Sequence, residues 1–85
     1  MPQFKDTQGW VDYREGDYKA ALPLLETAAS GQPNDAAVHY HLAMNYVAVG
    51  QPDKAAEQLK MALNLKPNHD LEQKLRDALT KLGTQ

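Results

Sequence analysis

Apolar residues along this chain recur at helical rather than strand spacing from one end to the other. Tyr18, Ala21, Leu22, Leu25, Ala28 and Ala29 form one stripe, which predicts a helix over about 17–30. Pro52, Ala55, Ala56, Leu59, Ala62 and Leu63 repeat that stripe and predict a helix over about 52–65. The segment between them, about 35–49, carries two stripes: Val38, Leu42, Tyr46 and Val49 on one side, Ala37, Tyr40, Met44 and Val47 on the other. A helix apolar on two sides is expected to be covered on both, so this is the central element. From 70 to 83, Leu71, Leu75, Ala78, Leu79 and Leu82 make a single face, while Glu72, Gln73, Lys74, Arg76, Asp77 and Lys81 occupy the rest. The first segment, about 3–14, has the weakest pattern. Phe4, Val11 and Thr7 are expected to face inward there, with Trp10 and Tyr13 directed elsewhere.

Two of these segments match because the chain repeats itself at an interval of 34 residues. Gly16, Ala21, Leu25, Ala28, Pro33 and Asn34 return as Gly50, Ala55, Leu59, Ala62, Pro67 and Asn68. Periods of this size belong to stacked helical arrays, in which each unit packs on its neighbours. The returning residues have separate tasks. The small Ala and bulky Leu recur where helices approach, and the glycines fall at turns that call for a positive φ. The prolines end the second helix of each unit, and Asn34 and Asn68 stand where an N-cap for the next helix is expected. Asp17 is placed to cap the helix that follows it, and Pro52 suits a first helical turn. Pro23 lies inside its helix and is expected to bend it.

Composition narrows the class. With 42% apolar and 24% charged residues the chain has the balance of a folded domain. A formal net charge of −2, with nine basic residues scattered among eleven acidic ones, speaks against nucleic acid, which is met by a clustered basic face. The absence of cysteine excludes disulfides, thiolate metal sites and a cysteine nucleophile. The amino terminus is polar and no apolar run approaches the roughly 20 residues that span a bilayer. A soluble protein is expected, with the cytoplasm favoured unless the chain is part of a larger protein.

These residues resemble the tetratricopeptide repeat, a 34-residue helix-turn-helix unit with a Trp, Leu-Gly, Tyr, Ala, Phe, Pro pattern. The second unit shows it as His39, Leu42-Ala43, Tyr46, Ala55, Leu59 and Pro67. His39 replaces the Trp and Leu59 the Phe. The first unit matches in its second half, through Gly16, Asp17, Tyr18, Ala21, Leu25 and Pro33, and departs from the pattern at Lys5, Gln8 and Asp12. Units at 2–35 and 36–69 with a capping helix at 70–83 then make one domain. The resemblance implies an all-α fold, an α-α superhelix of five helices built as a right-handed solenoid. It also implies a concave groove, lined by the first helix of each pair, that binds a peptide or partner protein. Carried over position by position, the groove residues are Gln3, Asp6, Trp10, Tyr13 and Arg14, then Ala37, Tyr40, His41, Met44 and Val47, then Leu71, Lys74 and Ala78. Family members that clamp a peptide's terminal carboxylate do so with Lys, Asn and Arg. Asp6, Trp10, His41, Leu71 and Leu75 stand in those places, so that clamp is missing.

Trp10, Tyr13, Tyr40, Met44 and Val47 form the leading candidate site, since aromatic residues and Met give large, adaptable contact area. The same spacing also suits packing of Tyr40, Met44 and Val47 against the first and last helices, and both roles stay open at this level. His39 and His41 are two residues apart on a helix, so their side chains diverge and do not suit one metal ion. His39 fits the aromatic slot of the core and His69 the surface. No nucleophile-base set, carboxylate pair or phosphate loop is recognisable, so neither catalysis nor a cofactor is expected. The leading expectation is a non-catalytic binding module. Self-association, or membership of a longer scaffold of the kind used in bacterial secretion or envelope assembly, is the alternative.

Overall fold

The computed structural model describes residues 2–83, with side chains from Asp6 onward. Gln3, Phe4 and Lys5 therefore lie outside the residues whose side chains are described. Five helices follow in order: α1 (Pro2–Arg14), α2 (Tyr18–Gly31), α3 (Ala36–Ala48), α4 (Pro52–Asn64) and α5 (His69–Lys81). There is no strand among the described residues. The fold is all-α, as the periodicity predicts.

The turn inside each pair is built the same way twice. Gly16 and Gly50 take φ of 85° and 82°. At the first turn Asp17 N–H reaches back to the Asp12 carbonyl and Gly16 N–H to Tyr13. At the second, Gln51 reaches Tyr46 and Gly50 reaches Val47. This reciprocal pattern satisfies the last carbonyls of a helix and needs a left-handed residue at its centre. Both pairs thus turn on the same backbone device, located by the two glycines.

Helix starts are less uniform. The Asp17 carboxylate accepts from Ala20 N–H and the Asn68 amide oxygen from Leu71 N–H, at 3.3 and 2.9 Å. For α3 the expected cap, Asn34, is displaced by Asp35, whose carboxylate accepts from Ala37 and Val38 N–H. A carboxylate suits a helix start at least as well as an amide, because the helix dipole is positive there. Gln51 makes no side-chain cap, and Pro52 at the first turn lacks the N–H that would need one. Relative to the expected spans, α2 and α3 each begin one residue later, after their caps. α3 and α4 each end one residue earlier. α5 starts one residue sooner and stops at Lys81 rather than 83. α2 runs through Pro23 without interruption.

A single core joins the elements. Ala21, Leu25, Ala28, Val38, Leu42, Ala43, Ala55, Leu59, Ala62 and Leu75 are all buried. The helix-two stripe predicted from sequence supplies its centre in both units. α1 differs from expectation: Val11 is 44% exposed and Thr7 is exposed, whereas Gly9 is buried. A methyl group on Gly9 would lie 2.8 and 2.9 Å from Leu25 Cγ and Cδ2 and 3.2 Å from Leu24 Cβ. At Gly9, α1 therefore docks by bringing bare backbone onto Leu24 and Leu25, and Tyr13 packs against the core one turn further on.

The second stripe of α3 also departs from expectation. Ala37, Tyr40 and Met44 are half-buried and Val47 is 38% exposed, so that face is not sealed by neighbours. On α5, Leu75, Ala78 and Leu79 are buried while Gln73, Arg76, Asp77 and Thr80 face out. The far side of the last helix is polar, which closes that end of the stack. The radius of gyration is 11.6 Å, close to the ~12 Å of any compact domain of this length. Two and a half units are too few for the long axis of a superhelix to emerge.

Candidate functional site

The aromatic residues singled out in α1 and α3 come together. Trp10 stacks on Tyr13 at 4.7 Å between ring centres with planes 5° apart, and on the His41 imidazole at 4.1 Å and 18°. Tyr40 lies tilted 6.2 Å from Trp10, and Tyr18 extends the row 5.4 Å from Tyr13. All of these except Tyr18 are half-buried. Such a cluster follows from helical geometry. Residues three apart meet on one helix face, as Trp10 and Tyr13 do, and packing α1 beside α3 sets that face against Tyr40 and His41.

One polar contact fastens the cluster. Asp6 Oδ1 and Oδ2 lie 2.8 and 3.0 Å from His41 Nδ1, which donates to the carboxylate. The contact is largely shielded from water and links α1 to α3. Asp6 therefore has its partner within the chain. Burial, together with the neighbouring phenols of Tyr18 and Tyr40, raises the Tyr13 pKa above its ordinary value.

The remaining predicted positions are less closely gathered. Met44 packs against the core, and Val47 is the open apolar residue of the same face. Arg14 and Lys74 are exposed, with no hydrogen bond, ion pair or ring contact among the described residues. Leu71 packs against the core and Ala78 is within it, so of the three α5 positions Lys74 alone stands free.

Four polar residues in or beside the core were not visible as a group in the sequence. His39, 2% exposed, places Nε2 2.8 Å from the Pro33 carbonyl and Nδ1 2.6 Å from the Gln58 side-chain amide. A carbonyl can only accept, so Nε2 carries the proton. The Gln58 amide meets Nδ1 as acceptor when the ring is charged and, turned over, as donor when it is neutral. His39 and His41 thus turn to opposite sides of α3. The Tyr46 hydroxyl donates to Glu26 at 2.8 Å. Burial, that hydrogen bond and the charges of Glu26 and Glu57 push the Tyr46 phenol up to about 12.

Asn45 is fully buried, and its Nδ2 donates to the Tyr18 carbonyl at 3.1 Å, tying α3 to the start of α2. A signal for Asn45 exists in the repeat register. It stands one period after Val11 and one before Leu79, so a polar residue occupies an apolar column.

No helix among the described residues is long and apolar enough to cross a membrane. The sequence profile of the tetratricopeptide repeat matches residues 13–81. Among curated proteins the chain is similar to "DnaJ homolog subfamily C member 3" of Gallus gallus, with 39% identity over 63 residues. That stretch covers 74% of this chain and 12% of the relative, so the chain spans a small part of the relative's length. Five helices, two identical glycine turns and a profile match across most of the sequence agree: the chain belongs to the tetratricopeptide repeat family, whose members are generally non-catalytic modules that typically bind proteins or peptides.

Proposed function

We propose that this chain holds a segment of another polypeptide against the face shared by α1 and α3. The observation that carries the reading is the ring cluster of Trp10, Tyr13, Tyr40 and His41, flanked by Met44 and the uncovered Val47. A core would hide these side chains. Here they remain part-exposed on the inner side of the stack. Aromatic residues with few rotatable bonds give contact area at low entropic cost. The Asp6–His41 contact fixes α1 relative to α3 before any partner arrives, which reduces the ordering a complex requires. Arg14 and Lys74 add positive charge at the margins. The role is that of a non-catalytic scaffold.

The test is selection from a displayed peptide library, followed by titration of an enriched peptide. Trp10→Ala combined with Tyr40→Ala should keep the helical circular dichroism and weaken binding at least tenfold. Full binding by a folded double variant defeats the proposal.

A second reading, self-association, rests on Val11. Its register partners Asn45 and Leu79 are both buried, yet Val11 is open at the outer edge of the first pair. Sedimentation over a concentration series should then show a dimer that Val11→Glu abolishes. A monomer at every concentration removes this reading.

A further inference from the structure

The face of α3 opposite the ring cluster borders a cleft. It has a volume of about 380 Å³ and is walled by α2, α3 and α4, with no residue from α1 or α5. On α3 it is lined by His39, Leu42 and Tyr46. At 100° per residue these lie on the other side of the helix from Tyr40, Met44 and Val47. The cleft shares no side chain with the ring cluster.

The cleft carries formal charge of one sign at Glu26, and its His39 ring is already engaged by Gln58 and the Pro33 carbonyl. Its only ionised carboxylate is Glu26, and no lysine or arginine lines it. The Glu26 carboxylate accepts one hydrogen bond, from the Tyr46 hydroxyl, and has no ion-pair partner among the described residues. A carboxylate offers about four acceptor sites, so most of its capacity is unused. The Tyr46 oxygen, its hydrogen engaged by Glu26, presents lone pairs to the cleft, and the Ser30 hydroxyl can add another acceptor. Lys54 lies over the Tyr46 ring, 5.8 Å from its centre, and does not reach Glu26 within ion-pair distance. Burial is the main reason the Tyr46 phenol is raised, and the hydrogen bond to Glu26 and the charges of Glu26 and Glu57 add to it. Beside these acceptors Met61, 46% exposed, supplies an adaptable apolar wall.

We infer that this cleft is a second binding site, one that takes an arginine side chain of a partner polypeptide, with the guanidinium on Glu26 and the aliphatic stem along Met61. Arginine fits better than lysine because its planar fork of five donors can serve a carboxylate and neighbouring hydroxyls together. A single ammonium on a flexible stem serves them less well. Nothing in this inference depends on the ring cluster of α1 and α3.

The test is a nuclear magnetic resonance titration with N-acetyl-arginine amide, compared with N-acetyl-citrulline amide, which has the same shape without the charge. Expected are saturable shifts of the Met61 methyl and Tyr46 ring signals with the arginine probe, at least fivefold weaker with citrulline. The Trp10 indole signal should stay still. Glu26→Gln, on an exposed residue, should weaken the arginine probe by a similar factor. Tyr46→Phe, which keeps the carboxylate but removes one hydroxyl acceptor, should weaken the probe by less than Glu26→Gln does. Equal response to the two probes, undiminished binding by Glu26→Gln or absence of saturation overturns the inference. Markedly tighter binding of free arginine than of the capped form assigns the cleft to the amino acid and overturns it also. A failed peptide selection at the ring cluster leaves these outcomes unaffected.

Discussion

The two helix pairs share a turn and a second-helix stripe, yet they close by different means. In the second pair, α3 inserts His39, Leu42 and Tyr46 toward α2 and α4, and Ala43 is buried at the close approach. In the first pair the same columns hold Lys5, Gln8 and Asp12, with Gly9 opposite Leu25. The exposed Gln8 and half-buried Asp12 hydrogen-bond to each other along the helix instead of entering the core. At these columns the second pair is filled by side chains, while the first makes a close backbone approach at Gly9. Of the described rings of α1, Tyr13 packs against the core and Tyr18, and Trp10 turns to Tyr40 and His41 of α3. A repeat can thus vary the packing of its first helix while its second helix keeps the unit in register.

Exchanging residues between the two pairs should break this contrast most severely at Leu42. Leu42→Gln gives the second pair the residue of the first and leaves an amide in a buried apolar site. It should cost about 3 kcal/mol in urea unfolding, a large share of the roughly 5–10 kcal/mol typical of a small domain. The reverse exchange, Gln8→Leu, should change stability by less than about 0.5 kcal/mol, since Gln8 is exposed.

The Tyr46 column separates the pairs by pH. Its phenol is raised to about 12 in the folded chain, against about 10 when unfolded. The folded state therefore holds its proton more firmly. The associated stability is complete below pH about 10 and is lost as pH climbs toward 12, on the order of 2 kcal/mol over that interval. Tyr46→Phe should flatten the alkaline slope of unfolding free energy, and an unchanged slope would contradict the Glu26 contact.

Gly9 tests the backbone seal. Gly9→Ala gains helix propensity of about 1 kcal/mol but drives a methyl against buried Leu25, where overpacking costs about 1–3 kcal/mol. Net destabilisation of about 1 kcal/mol is expected by chemical denaturation, and a more stable variant would show that α1 is not held by close approach. The smallest effect concerns the end of α4, where Lys66 takes φ of 55° and donates to the Leu63 carbonyl. The corresponding residue of the first pair, Gln32, has φ of −134°. Lys66→Gly should relieve left-handed strain and raise stability by about 0.5 kcal/mol in thermal melts, while Gln32→Gly should not.

What could be read from the sequence follows the same division. The stripes of α2 and α4 and the glycine turns were legible because each residue there has one task and recurs after 34 positions. The role of α1 was not, since a buried glycine contributes nothing to a hydrophobic pattern and Val11 looks like core until its neighbours are known. The meeting of Trp10, Tyr13, Tyr40 and His41 could be anticipated from their places on adjoining first helices. The Asp6–His41 contact joins residues 35 positions apart and depends on rotation of α1 about its axis, which periodicity does not specify. Glu26–Tyr46 and His39–Gln58 were hidden for a related reason: each pairs side chains of different helices whose relative offset emerges only on packing.

The most direct measurement is chemical-shift mapping of the whole chain with a peptide enriched by selection. The largest changes should fall at the Trp10 indole, Tyr13, Tyr40, Met44 and Val47, with the Asp6–His41 contact preserved. Changes confined to the outer surfaces of α2, α4 or α5, with the Trp10 signal unmoved, would contradict a recognition face shared by α1 and α3.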